Sequence, residues 1–267
     1  MASTVVIMGA GGKMGVRAAE KLGDNAQYNV VLCESNAERA RALEAEGFNI
    51  MEPAVAIPSA DFVLLAVPDA VIGKIAQEVV PRMKKGATLI MLDAAAAYVN
   101  QLPDPGSLTF VIAHPCHPPF FTEQSTPEAR RDYFGGIAEQ DMVIALAAGS
   151  ETKFEEAKRL CGAIFAPVRK VYRVTTEQFA LLEPAMAEIV VAAAASLMRE
   201  SLDAAVDKGV PRDAAYAFMA GHARIAMAIV FGAEKSPFSD ACKIAIRWGT
   251  REIIRSDWRK VFERGPL

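Results

Sequence analysis

Two of the three histidines of this 267-residue chain stand three positions apart, in Ala113-His-Pro-Cys-His-Pro-Pro-Phe-Phe121. An imidazole changes charge near neutral pH, so a rigidly held pair can move a proton or bind a metal ion. Pro115, Pro118 and Pro119 stiffen the segment that carries them. His114 and His117 are the first candidates for catalysis, with an ordinary rigid turn as the bland alternative. Cys116, between them, is expected to be a buried structural thiol rather than a soft metal ligand. Glu183 is the third candidate, in Phe179-Ala-Leu-Leu-Glu-Pro-Ala-Met-Ala-Glu188. A carboxylate among apolar neighbours is costly unless paired, protonated or bound to metal. Pro184 lacks an N–H, so the helix should kink or start there. Glu188 falls on another face and reads as structural. His222 fits a satisfied core histidine as well as a site residue. Arg247 and Arg251, four apart on one helical face, fit either a carboxylate clamp or solvated charges.

These side chains need a scaffold, and the N-terminus indicates which one. The apolar strand Thr4–Met8 runs into Gly9-Ala-Gly-Gly-Lys-Met-Gly15, and a helical pattern follows over 16–22. Strand, glycine turn and helix in that order let bare N–H groups approach a pyrophosphate at a helix N-terminus. Gly9 permits the tight turn, Gly11 and Gly12 clear space for phosphates, and Gly15 lets helix and strand pack closely. The spacing fits both a G-x-G and a G-x-x-G-x-x-G reading, which leaves the roles among Gly9, Gly11 and Gly12 open. Lys13 and Met14 complete the expected cofactor-binding turn. The next strand, Tyr28–Cys33, ends in Glu34, 25 positions after Gly9. A carboxylate there would accept from ribose hydroxyls and repel a 2′-phosphate, favouring NAD over NADP. Arg39 and Arg41 read as exposed charges on the following helix.

Further apolar runs at 61–67, 87–93, 108–113 and 141–147 read as buried strands, the first closing on Val67-Pro68, another expected cofactor contact. Near-continuous apolar strands separated by helices imply a parallel sheet covered on both faces. The expected fold is therefore α/β, a Rossmann-type doubly wound parallel sheet over residues 1–150. Glu34, Val67-Pro68, Asp93-Ala94 and His114 all fall at strand ends of the kind that bind ligands in such sheets. From about residue 151 the pattern changes to a helix, an extended piece at 164–174, then helices over 179–206, 211–232 and 236–264. Helices rich in Ala, Met and Ile must bury against something. Residues 151–267 are thus expected to form a mainly helical substrate and dimerisation domain, interlocking a homodimer.

Net charge is −3 with no basic run, so no nucleic-acid partner is expected. Four cysteines without C-x-x-C spacing, in a chain without a signal peptide, fit reduced thiols in a cytoplasm. The longest apolar run, Ile189–Met198, is bounded by Glu188 and Arg199. It falls short of the ~20 residues needed to span a bilayer, so no membrane partner is expected.

With these residues in view, the N-terminal half resembles the 6-phosphogluconate and β-hydroxyacid dehydrogenase superfamily, through Gly9–Gly15 and Val67-Pro68. His114-Pro115 is similar to the His-Pro motif of prephenate dehydrogenases, whose histidine assists oxidation of a hydroxyl. Gly9–Gly15 together with His114-Pro-Cys-His-Pro-Pro119 and Leu182-Glu-Pro184 resembles the D-apionate oxidoisomerase group. That resemblance implies NAD-dependent oxidation and rearrangement of a small branched sugar acid, D-apionate to 3-oxoisoapionate. β-Hydroxyacid dehydrogenases place a Lys-x-x-x-Asn pair on the helix opening their second domain, whereas residues 176–191 here contain neither lysine nor asparagine. Histidine plus glutamate instead suggests a divalent ion, Zn or Mg, held by His114 and Glu183, with His117 as partner base. Two alternatives remain: a metal-independent 3-hydroxyacid or prephenate-like dehydrogenase using His114 as base, and a non-catalytic NAD-binding regulator.

Overall fold

Apolar runs through the first two-thirds of the chain become strands of one sheet in the computed structural model, which describes residues 2–263. The strands are β1 (Ser3–Met8), β2 (Tyr28–Cys33), β3 (Phe62–Leu65), β4 (Thr88–Met91), β5 (Thr109–Pro115), β6 (Gln140–Ala148) and β7 (Val168–Arg173). They lie in the order β2-β1-β3-β4-β5-β6-β7. β3 and β4 are buried at every position because helices cover both faces. One face packs α1 (Lys13–Gly23) and α6 (Glu151–Ile164), burying Ala18, Leu22, Phe154, Leu160 and Ile164. Between β2 and β4 the chain adds α2 (Ala37–Ala45), α3 (Pro53–Ala56) and α4 (Ile72–Val79). α5 (Ala95–Tyr98) follows β4, and α7 (Thr176–Ala180) follows β7. Ile72, Ala76, Val79, Ala96 and Phe179 belong to the core of the opposite face.

The sheet is mostly, not wholly, parallel. β1 to β5 are parallel, but β6 pairs with β5 antiparallel and β7 runs parallel to β6. The expected Rossmann-type sheet is thus present, with one antiparallel pairing between β5 and β6. A parallel return needs a crossover, usually a helix, and the connection 116–139 holds only the 3-10 turn Ala129–Arg131. Buried strands look alike in either direction, so their apolar pattern carries no sign of it. β7 closes the sheet with Arg169, Lys170, Tyr172 and Arg173 exposed. Arg169 pairs with Asp141 at 3.1 Å and Arg173 with Glu151 at 2.6 Å.

The chain divides into two compact units, Met1–Ala180 and Leu181–Leu267. α6 and β7 thus belong with the sheet, so the division falls about thirty residues later than the change of pattern near 151 suggests. The second unit is helical: a π-helical stretch Leu181–Ala192, then α8 (Ala193–Asp207), α9 (Arg212–Val230), α10 (Asp240–Ile253) and a 3-10 turn Trp258–Phe262. Pro184 lies inside the π-helical stretch, which absorbs the missing backbone donor. Helix Thr176–Asp207 runs 32 residues with a best-window mean hydropathy of 1.6, long and apolar enough to cross a membrane by those two criteria alone. The second unit exposes Phe218, Phe231, Ile244, Trp248 and Ile253, each more than half accessible.

Candidate active site

The sheet unit brings the glycine turn to the point where strand order reverses, between β1 and β3, where open α/β sheets take ligands. Gly9 has φ +76°, and a Cβ there would lie 2.5 Å from the Ala66 carbonyl, so only glycine fits. A Cβ on buried Gly15 would collide with the Gly9 carbonyl and lie 2.7 Å from Ala10 Cα, which fixes the close approach of α1 to β1. Gly12 is the N-cap of α1 and offers no side-chain cap. The first-turn N–H groups, on Lys13, Met14 and Gly15, therefore lack the partner that a capping side chain supplies. Lys13 is exposed at the first helical position, and Val67 Cγ1 lies against the space beside Gly9, with exposed Pro68 after it.

Gly11 is used differently from the expected phosphate clearance. The space beside its Cα is filled by Arg39, whose Cβ would lie 2.6 Å from an added Cβ. Glu34 Oε2 accepts from the Gly11 N–H at 2.8 Å, and Oε1 accepts from the Asn36 N–H at 2.8 Å. The acid at the end of β2 thus reaches over the turn, where a negative carboxylate disfavours a second phosphate.

The two imidazoles come together as the spacing implies. Their ring centroids lie 5.8 Å apart at a T-shaped angle of 80°. His114, half-buried at the end of β5, donates from Nδ1 to the Leu92 carbonyl just beyond β4 at 2.8 Å. His117 donates from Nδ1 to the Phe134 carbonyl at 2.8 Å, and its ring lies 5.4 Å from that of Phe134. A carbonyl only accepts, so this network assigns the proton to Nδ1 in both neutral rings. Nε2 is then the basic or ligating nitrogen of each.

Asp69 and Asp93 are the residues that sequence reasoning undervalued here. Loss of water, then the charge of Asp93, pushes the Asp69 carboxyl above its usual range, while His114 pulls it down. Asp93 is buried and accepts from the Ala95 N–H at 2.6 Å. Both directly follow strands already placed at the ligand end of the sheet, which was the available signal. A cleft of about 980 Å3 runs from Gly11 and Lys13 along Arg17 to Arg131, Phe134 and Gly136. It joins the glycine turn to the loop that holds His117.

The remaining expected residues have their own local surroundings. Cys116 is exposed, which corrects its reading as a buried thiol, because it leaves the sheet with the proline-rich turn. Cys33 and Cys161 are buried, and loss of water pushes their thiols up to about 11 and about 12. Glu183 is half-buried in the π-helical stretch of the second unit. His222 is exposed on α9, not in a core. It stacks on Phe218 at 3.9 Å and bonds the Phe218 carbonyl. Arg247 and Arg251 are exposed on α10. Among the described residues, no group of three or more His, Cys, Asp or Glu side chains is placed to hold a metal ion.

Comparison with known proteins agrees with this geometry. Residues 122–267 match the family model for the phosphogluconate dehydrogenase (decarboxylating) C-terminal domain, and residues 1–127 that for the acetohydroxy acid isomeroreductase NADPH-binding domain. A D-apionate oxidoisomerase of Cupriavidus necator is 42% identical over 100% of this chain and 97% of its own length. One from Rhizobium rhizogenes is 40% identical over 98% and 95%. A crystal structure of a Cupriavidus necator semialdehyde dehydrogenase NAD-binding protein, in complex with calcium and NAD, superposes with a TM-score of 0.93. It is 42% identical and the match covers 99% of this chain and 96% of that one. At 42% and 40% identity over nearly the full length of both sequences, the chain belongs to the D-apionate oxidoisomerase family.

Proposed function

We propose that the chain is an NAD-dependent oxidoisomerase of D-apionate, a small branched sugar acid, working in the cytoplasm as a homodimer. The observation that carries the reading is the pair of imidazoles, 5.8 Å apart, with each Nδ1 anchored on a backbone carbonyl. Anchored rings present Nε2 in a fixed direction, as proton transfer requires. The uncapped first turn of α1 suits a pyrophosphate. Glu34 suits a ribose rather than a 2′-phosphate, which selects NAD despite the NADPH-binding description of the matching family model. When bound, NAD accepts a hydride from the carbon that bears the oxidised hydroxyl.

In this reading His117, the partner base, takes the hydroxyl proton at Nε2, and His114 acts at Nε2 as nitrogen ligand or acid/base group. A divalent ion, Zn or Mg, would lower the pKa of the alcohol and polarise the neighbouring carbonyl. The Leu92 anchor on His114 is the outer support that metal-bound imidazoles typically have. The chain supplies no three-residue cage among its described residues, so substrate oxygens or water would complete the coordination. Glu183, on the helical unit, is carried as a candidate carboxylate donor. Asp69, whose carboxyl feels the charges of both Asp93 and His114, adds a carboxylate beside this site.

The test is spectrophotometric: NADH formation from D-apionate and a panel of aldonic acids, with and without a chelator. Turnover of D-apionate abolished by chelator and restored by metal supports the full reading. Chelator-insensitive turnover to a simple ketone would replace it with a metal-independent dehydrogenase, which the carbonyl-anchored imidazoles also suit. NAD binding without turnover of any acid would favour a regulator. Homodimer formation rests on the apolar side chains exposed on the helical unit, from Phe218 to Ile253.

A further inference from the structure

His117 has φ +59°, one of two non-glycine residues with positive φ among those described. A residue with a Cβ, histidine included, holds that conformation where its surroundings favour it. The ring's anchor is the Phe134 carbonyl, in a stretch with neither helix nor strand. Something else must aim that carbonyl.

The Phe134 carbonyl and the Gly135 N–H belong to one planar peptide, so fixing the direction of one fixes the other. Asp132 Oδ1 accepts from that Gly135 N–H at 2.8 Å. Its Oδ2 accepts from the Ile137 and Ala138 N–H groups at 2.7 and 3.0 Å, pinning the carboxylate within the turn. Gly135 has φ +93°, and a Cβ there would lie 2.7 Å from the Gln140 side-chain amide, so the peptide has little freedom to rotate. From the opposite side, Arg17 Nη1 donates to the Phe134 carbonyl at 3.4 Å and Lys21 donates to the Gly136 carbonyl at 2.7 Å. Both cations stand on α1, the helix of the glycine turn.

We propose that Asp132 is the positioning residue for His117, holding its Nδ1–H tautomer and ring orientation through the Phe134–Gly135 peptide. Burial pushes the Asp132 carboxyl up, but the N–H donors of Ala138, Ile137, Gly135 and Phe134 outweigh it and hold the group below the usual carboxylate range. It is therefore charged at neutral pH and accepts these bonds at full strength. The inference rests on the reading of His117 as a base, and its test separates the two.

The experiment is isotope-labelled histidine NMR at one neutral pH, with steady-state kinetics, on wild type, Asp132→Ala, Asp132→Asn and Tyr133→Ala. In wild type, His117 shows a single Nδ1–H tautomer. In Asp132→Ala the tautomers mix and kcat falls about 10- to 100-fold, while KM for NAD stays within about twofold. Asp132→Asn keeps one acceptor oxygen and falls between, and it carries the test if the alanine variant does not fold. Tyr133, 82% exposed in the same turn, leaves tautomer and kcat unchanged when replaced by alanine. An unchanged His117 tautomer in the folded Asp132 variants overturns the proposal, as does an equal change in Tyr133→Ala. A mixed tautomer with undiminished kcat upholds the positioning role and removes His117 from the chemistry.

Discussion

Two side-chain exchanges separate chemistry from binding at the level of single residues. His114→Gln and His117→Gln are expected to lower kcat about 10²- to 10⁴-fold, the usual contribution of a positioned acid or base. NAD affinity, measured by calorimetry, should hold within about twofold in both, because neither ring belongs to the glycine turn; a large loss would place them in the cofactor pocket instead. Glu34→Gln removes the charge but keeps an acceptor over Gly11. It should narrow the preference for NAD over NADP about tenfold or more, read as a ratio of kcat/KM values. The histidine pair was legible in the sequence because three prolines and a strand end leave those rings few directions. Glu34 was legible because the strand after a glycine turn ends at a fixed place. Asp132 and the carbonyl of Phe134 were not. The bond from His117 to Phe134 spans 17 positions, and no periodicity reports how an irregular loop folds back.

At the level of strands and helices, the close contact of α1 with β1 has a direct test. Gly15→Ala puts a methyl group against backbone atoms of Gly9 and Ala10, which have no rotamer by which to give way. It should cost about 1–3 kcal/mol in denaturant unfolding and abolish NAD binding, since α1 must shift outward. A second test concerns the starts of β1 and β3. Asp61, before β3, accepts from the Thr4 N–H at 2.8 Å and pairs with Lys84 at 2.7 Å. Partial burial pushes its carboxyl up, but Lys84, the Thr4 N–H and the charge of Lys153 together hold it below the usual carboxylate range. A depressed folded pKa contributes stability above the unfolded value near 4, lost as pH falls through the folded value. Asp61→Asn should therefore lower Tm by about 1–3 °C at pH ~7, a modest effect because the pair is partly exposed. The gap should close near pH ~3, and a gap that widens on acidification would contradict this account. The strands themselves were readable from apolar runs, and the helix disturbance at Pro184 from the missing donor. The direction of β6 was not readable, since an apolar run looks the same whichever way its strand points.

For the whole molecule, the proposed homodimer makes a prediction that does not depend on chemistry. Trp248 and Ile246 lie on α10 with 59% and 43% of their surfaces accessible. Sedimentation at micromolar concentration should give a dimer for wild type, and the double variant Ile246→Asp, Trp248→Asp should give monomers or aggregates. A wild-type monomer would require another partner for that apolar surface. The change from mixed to helical pattern was visible along the chain, but its place was not, because α6 and β7 complete the sheet rather than open the helical unit. β7 also limits how copies can meet. Arg169, Lys170 and Arg173 crowd its free margin, two of them braced by Asp141 and Glu151. A foreign strand seeking to zip onto that margin would have to strip water from long charged side chains. Fibril seeding from this end is thereby discouraged, and the proposed homodimer is left to surfaces where the chain is greasy instead of ionic.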